Sequence, residues 1–151
     1  MNSEEYKWHQ RFTLLARQVA SWSKDPSTQV GCVLANKKKV LSVGYNGFPK
    51  NISDDLNRLI DREKKYEITV HAEVNAVTTA ALHGVSTEGA SAYITFSPCS
   101  RCAAVLINAG ITAVYVDGAS EVPTRWLENF ILAGKILAEA GVEYHTIDSV
   151  S

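Results

Sequence analysis

SAYITFSPCSRCAAVLINAGITAVYV, residues 91–116, reads as a strand, a helix and a second strand. SAYITF and ITAVYV carry the β-branched and aromatic residues of buried strands. CSRCAAVLINAG between them is a helix that stops at Gly110. A strand, a helix and a strand in this order predict a right-handed crossover and parallel pairing. Cys99 and Cys102 fall at the first junction, where the strand gives way to the helix. Their three-residue spacing places both sulfurs near one face of the first turn. The positive end of the helix there favours thiolate over thiol.

Outward from this unit, helices and strands continue to alternate. Downstream, PTRWLENFILAGKILAEAG is a long helix opening on Pro123 and Thr124, with Trp126, Phe130, Ile131 and Leu137 as its expected core face. VEYHTI closes as a last strand. Upstream, Tyr6 to Trp22 is a helix, because Phe12, Leu15, Ala16 and Val19 recur at helical spacing. SKDPST interrupts it, and Pro26 biases Asp25 away from helical backbone. QVGCVLA and KVLSVGY form a hairpin joined by NKKK, a joint without the Asn-Gly pair that marks the tightest turns. NGFP is a turn, and DDLNRLIDREKKY has the spacing of a short helix. HAEVNAVTTAALHG is a helix with Ala72, Asn75, Ala76 and Thr79 near one face and Gly84 as its stop. The order α-β-β-α-β-α-β-α-β predicts an α/β fold of three layers, α-β-α. A five-stranded mixed sheet lies between helices, in one domain over residues 1–151.

The bulk composition narrows the classes. Of 151 residues, 46% are hydrophobic and the net charge is -1, which suits an ordinary core and is not the balance of a duplex-binding protein. Nucleic acid is therefore not an expected partner. No run approaches the roughly 18 apolar residues of a membrane span, and the N-terminus lacks an apolar signal core. Cys32, Cys99 and Cys102 make no disulfide framework of the secreted kind. A cytosolic, reducing location is the expectation.

His71 gives the cysteines a partner. It begins a helix directly after a loop, as Cys99 does after a strand, and both helix starts are expected at one edge of the sheet. Two thiolates and a neutral imidazole match Zn2+ in charge and leave a fourth position open, the count of a catalytic site. Glu73 lies roughly 200° round the helix from His71 and is not expected to share the metal. From the helix start it can bend toward the water that such an ion would activate. H-x-E followed by P-C-x-x-C is the known signature of zinc deaminases, so here a stated pattern is matched. The rival readings are a redox Cys-x-x-Cys pair and a structural zinc site with Cys32 as fourth ligand. Cys32 sits in an apolar strand and is expected to be buried and inert. His9, His83 and His145 have no comparable context.

With these residues in place, the chain resembles the cytidine deaminase superfamily and, within it, the deoxycytidylate (dCMP) deaminases. SKDPSTQVG at 23–31, VGYNGFP at 43–49, SDD at 53–55, KY at 65–66, HAEVNA at 71–76, PCSRCA and INAGI match in order and spacing. Against the family pattern, Asn51–Ile52 replaces a Gly-Cys pair before SDD, FSPC replaces Phe-Pro-Cys, and Cys32 replaces a smaller residue. The resemblance implies hydrolytic deamination of dCMP to dUMP and ammonia, supplying the precursor of dTMP. It implies Zn2+ on His71, Cys99 and Cys102, with Glu73 as proton shuttle. Asn46 would meet the sugar 3′-hydroxyl, the backbone at Ala72 and Ser97 the pyrimidine edge, and Ser23 and Lys24 the 5′-phosphate. It further implies a homohexamer activated by dCTP and inhibited by dTTP. The effector site would use Asn46, Gly47, Asp54 and Asp55, with Mg2+ on the triphosphate. Two alternatives stand beside this reading: a dCTP or dual dCMP/dCTP deaminase, and a catalytically silent zinc-bearing nucleotide sensor.

Overall fold

In the computed structural model, which describes residues 1–148, five strands form one mixed sheet in the order β2-β1-β3-β4-β5. The strands are β1 (Gly31–Asn36), β2 (Lys39–Tyr45), β3 (Ser91–Ile94), β4 (Ala113–Asp117) and β5 (Glu143–Ile147). β1 pairs antiparallel with both β2 and β3. β3, β4 and β5 run parallel, as crossover helices between them require. The predicted mixed sheet between helical layers is the observed one.

Alternation along each strand divides the core in two. Val33, Tyr93 and Tyr115 face α1 (Ser3–Ala20), which covers them with Phe12, Ala16 and Val19. Leu34, Ala92 and Val114 face the other way, toward α4 (Ala72–Leu82), α5 (Ser100–Asn108) and α6 (Leu127–Glu139). Two short helices, α2 (Leu56–Ile60) and α3 (Arg62–Ile68), occupy the stretch read as one helix. The break falls at Asp61, whose extended backbone caps the second helix.

Local chemistry sets the other boundaries. Helix α1 begins at Ser3, earlier than the apolar spacing shows, because Asn2 and Glu5 close a reciprocal capping box. The predicted stops at Gly84 and Gly110 both hold, each with φ in the left-handed region. The hairpin turns on Lys37 and Lys38 with φ of 50° and 68°. Positive φ at both central residues is the type I′ signature, which two lysines do not advertise. Asn51 has φ 68°, a conformation asparagine tolerates. One expectation fails. Of the expected core face of α6, only Leu137 is fully buried, while Trp126 and Ile131 are exposed. Trp126 lies in a 3-10 turn before the helix (Thr124–Trp126), so the helical spacing that placed it on the core face does not apply.

The contact that positions the site is between α4 and β2. A Cβ on Gly44 would collide with the backbone N of Ala76 and lie 2.5 Å from Ala72 O. Ser42 Oγ donates to Ala76 O at 2.7 Å, and Asn75 Nδ2 donates to Tyr45 O at 2.8 Å. Helix and strand therefore meet backbone to backbone. Gly44→Ala is expected to destabilise the protein by at least about 1–3 kcal/mol, the usual cost of overpacking. Urea unfolding measures it, and a midpoint equal to wild type would show that this contact yields freely.

Candidate active site

His71 and Cys99 are N-cap residues, of α4 and α5, and neither side chain caps its own helix. Both are therefore free to point away, while the first N–H groups of two helices converge behind them. Cys102 lies one turn into α5. His71 Nδ1 is 3.2 Å from Cys102 Sγ and 3.7 Å from Cys99 Sγ, and the three donor atoms lie within 4.8 Å of one another. A tetrahedral ion with bonds of about 2.3 Å to sulfur and 2.0–2.1 Å to nitrogen separates such donors by roughly 3.5–3.8 Å. The triad fits Zn2+ in donor type and spacing. Among the described residues no other cluster of His, Cys, Asp or Glu has metal-ligand spacing. Cys32 is buried in the sheet and does not join the triad. Burial, with some help from the Glu73 charge, pushes its thiol well up.

Electrostatics favour one thiolate first. A hydrogen bond from the Cys102 thiol, with further help from His71, lowers the Cys99 pKa to about 4 against the opposing effect of burial. Cys102 is pushed up by the same bond and by burial. His71 is raised, chiefly by its bond to Cys99. Glu73 is 4% exposed, and burial raises its carboxyl above the usual range against the pull of its own backbone N–H and of His71.

His71, Glu73 and Cys99 border a cavity of about 390 Å3, a size suited to a small ligand. Its walls come from the loop at Asp25, Ser27 and Thr28, from Asn46, from Lys65 on α3, and from His71, Ala72 and Glu73. Ser97 and Cys99 follow, with Phe96, Trp126 and Phe130 as an aromatic side. Phe96 and Phe130 meet edge to face at 5.7 Å. Asn46 is 7% exposed and held firmly, donating to Thr28 O and accepting from Val30 N, both at 2.8 Å.

The structure brings together His71, Ala72, Glu73, Ser97, Cys99, Cys102 and Asn46, and leaves others out. Ser23 is buried behind Asn46, donating to its carbonyl at 2.8 Å. Lys24 lies on the surface, paired with Asp54 at 2.8 Å. Neither borders the cavity, because Asp25 turns the loop by accepting from Ser27 N and Thr28 N. Asp55 caps α2 through Asn57 N. The Asp54–Asp55 pair is thus engaged locally, and among the described residues it forms no cluster able to hold Mg2+. Gly47 pairs with Val70 through two backbone bonds of 3.1 and 2.8 Å, which ties the GYNG loop to the residue before His71. Sequence reading missed Lys65, Phe96, Trp126 and Phe130 as cavity residues.

A helix-start His-x-Glu facing Pro-Cys-x-x-Cys, on a mixed sheet of this order, defines the deaminase class of α/β proteins. Residues 6–117 match the family described as the cytidine and deoxycytidylate deaminase zinc-binding region, and the chain belongs to that family. It is 42% identical over 138 residues to an uncharacterized deaminase in the luxG 3′ region of Aliivibrio fischeri, covering 91% of each chain. It is 35% identical over 156 residues to the deoxycytidylate deaminase of Mus musculus, covering 93% of this chain and 84% of that one. The crystal structure of dCMP deaminase from the cyanophage S-TIM5 in complex with dCMP and dUMP superposes with a TM-score of 0.74. It shares 24% identity and matches 97% of this chain and 98% of that chain. At that identity the likeness shows the fold.

Replacement of one ligand tests the triad. Cys99→Ala is expected to lose most of the roughly one zinc per chain that a three-ligand site holds, together with some stability, because ligation and folding are coupled. Elemental analysis of the purified variant measures this, and full zinc content would remove Cys99 from the site.

Proposed function

We propose that this chain is a zinc-dependent deoxycytidylate deaminase, hydrolysing dCMP to dUMP and ammonia and so supplying the precursor of dTMP. The observation that carries the reading is that buried Glu73 lines one cavity of about 390 Å3 together with His71 and Cys99, two of the three donors of the His71–Cys99–Cys102 triad. The mouse relative named deoxycytidylate deaminase and the phage structure holding dCMP and dUMP support the choice of substrate.

His71, Cys99 and Cys102 would hold Zn2+, which when bound would supply Lewis acidity and bring the pKa of a water down to about 7. Glu73 takes a proton from the attacking water and passes one to N3 of the cytosine. It later delivers a proton to the departing amine at C4. Phe96 and Phe130 offer an apolar wall for the pyrimidine. The backbone at Ala72 and Ser97 can hold its polar edge, and Asn46, fixed by its two backbone bonds, can meet the sugar hydroxyl. A silent nucleotide sensor would have no use for a buried carboxyl placed beside the triad. Deamination of dCTP remains the substrate alternative, decided by rates with dCMP against dCTP.

Glu73→Gln keeps shape and removes proton transfer. Zinc content and nucleotide binding are expected to survive while turnover falls by at least about a hundredfold, as for loss of general acid–base catalysis. An ammonia-release assay on the zinc-loaded variant measures it. Near wild-type turnover would take the shuttle role from Glu73.

The reading extends to assembly and control: a homohexamer activated by dCTP and inhibited by dTTP, with Mg2+ carried on the triphosphate. Trp126, Leu127, Ile131 and Leu132, exposed together at the start of α6, support self-association. The Gly47–Val70 bridge supports a route from the effector loop to His71. Initial rates at subsaturating dCMP, with effectors and Mg2+ varied, are expected to respond to both nucleotides. Asp54→Ala with Asp55→Ala should blunt that response while zinc stays bound. Light scattering is expected to give a hexamer mass. Rates indifferent to both effectors would remove the regulation, and a monomer mass the assembly.

A further inference from the structure

We infer that Lys65 is the residue that reads the substrate's phosphate, an assignment that rests on the deaminase reading for the identity of the nucleotide. Lys65 is 4% exposed and is the only residue that α3 buries. The one side chain that this helix buries fully is thus a charged one, with Ile68 only half-buried. Buried ion pairs are themselves weak sources of stability. The ammonium donates to Asp25 Oδ1 and to Ser27 Oγ, each at 3.2 Å. An ammonium has three donors; these two hydrogen bonds leave one that meets no oxygen or nitrogen acceptor among the described residues, with the Tyr66 ring centre 5.6 Å away. Lys65 also borders the cavity that holds Glu73. A buried cation with a spare donor at a ligand-sized cavity calls for an anion.

Hydrogen bonds connect Lys65 to Asn46 along the lining of that cavity. Thr28 accepts from Asn46 Nδ2 at 2.8 Å, and Thr28 N donates to Asp25 Oδ1 at 3.1 Å. Asp25 Oδ1 in turn receives Lys65. The wall therefore runs from the triad and Glu73, through Asn46, to Thr28, Ser27 and Lys65. Base, sugar and 5′-phosphate follow one another in the same order along a nucleotide. The other nearby cations fit less well. Lys24 lies outside the cavity on Asp54. Arg125 borders the cavity but is exposed. Ser27 Oγ and the backbone at Ser27 and Thr28 can share the phosphate oxygens with Lys65.

The test uses ligands that differ only in the phosphate. Affinities of dUMP and deoxyuridine are measured calorimetrically on zinc-loaded wild type, Lys65→Met and Lys65→Arg, each first shown by its melting curve to be folded. Wild type is expected to prefer dUMP. Lys65→Met is expected to cut that preference at least about tenfold, the size of one charge-assisted hydrogen bond, with deoxyuridine binding shifted far less. Lys65→Arg is expected to restore part of it. An unchanged preference in Lys65→Met, or an equal loss for both ligands, overturns the assignment. The binding readout needs no turnover. If wild type releases no ammonia from dCMP yet Lys65→Met still abolishes the preference, the reaction is wrong and the phosphate assignment stands.

Discussion

The backbone contact between α4 and β2 is the constraint on which the site depends. Gly44 gives up its side chain, and Ala72 and Ala76 present almost none, so the helix lies directly on the strand. Ser42 and Asn75 then fix its position along the strand by side-chain bonds to backbone carbonyls. The consequence is felt at the N-terminal end of the helix, where His71 must meet two sulfurs from another helix within a few tenths of an ångström. Asn129 on α6 steadies the opposite side, accepting from Ser100 N at 2.9 Å and donating to Ser100 Oγ. Each ligand-bearing helix start is thus held from outside itself. The two N-caps remain available for a metal because neighbouring elements supply the fixing that a cap bond would otherwise give.

A division of labour between sheet faces follows. The α1 face carries packed aromatic rings, Tyr93 and Tyr115 stacked at 4.8 Å and His9 over Tyr115 at 4.1 Å, which border a cavity of their own of about 460 Å3. Arg17 crosses from α1 to Asp117 at the end of β4. Burial alone would raise that carboxyl. Its bonds from Arg17 and from Ala119 N outweigh burial and hold it below the usual range. The other face carries small residues and helix starts, and the cavity opens there. Chemistry is confined to the side where backbones come close.

Legibility in the sequence tracked how local each cause is. The strand-helix-strand unit, the glycine stops and the cysteine pair depend on neighbours within a few residues, so pattern alone gave the sheet, its crossovers and the triad. Ser23 and Lys24 lie only two and one residues before Asp25, yet it is Asp25, Ser27 and Thr28 that line the cavity and neither of those two, and only geometry shows the Asx turn that separates them. Lys65 sits in DREKKY, the end of the stretch read as a short helix; the resemblance picks out KY at 65–66 but gives Lys65 no role, and the local pattern does not show that it is buried while Lys64 beside it is exposed. Trp126 and Ile131 look like core because an apolar residue is written the same way whether it meets its own chain or another surface. The Lys37–Lys38 turn is hidden for the opposite reason: two-residue hairpin geometry imposes left-handed backbone on residues that do not prefer it.

Charge explains why the cavity tolerates so many ionisable groups. Two thiolates cancel a divalent zinc, leaving the metal end nearly neutral. Asp25 cancels Lys65, so the far end is neutral as well until a ligand enters. That pairing makes burial of the ammonium less costly, since an isolated buried charge carries a penalty of several kcal/mol. The ion pair is longer than the tight 2.7–2.9 Å contacts typical of charge-assisted bonds, and Asp25 is already satisfied by Ser27 N and Thr28 N. Its carboxylate can therefore keep its place in the loop when the ammonium leans toward a stronger anion. A phosphate would then add charge where a cation stands ready, while Glu73, at the other end and shielded from solvent, is left to the proton.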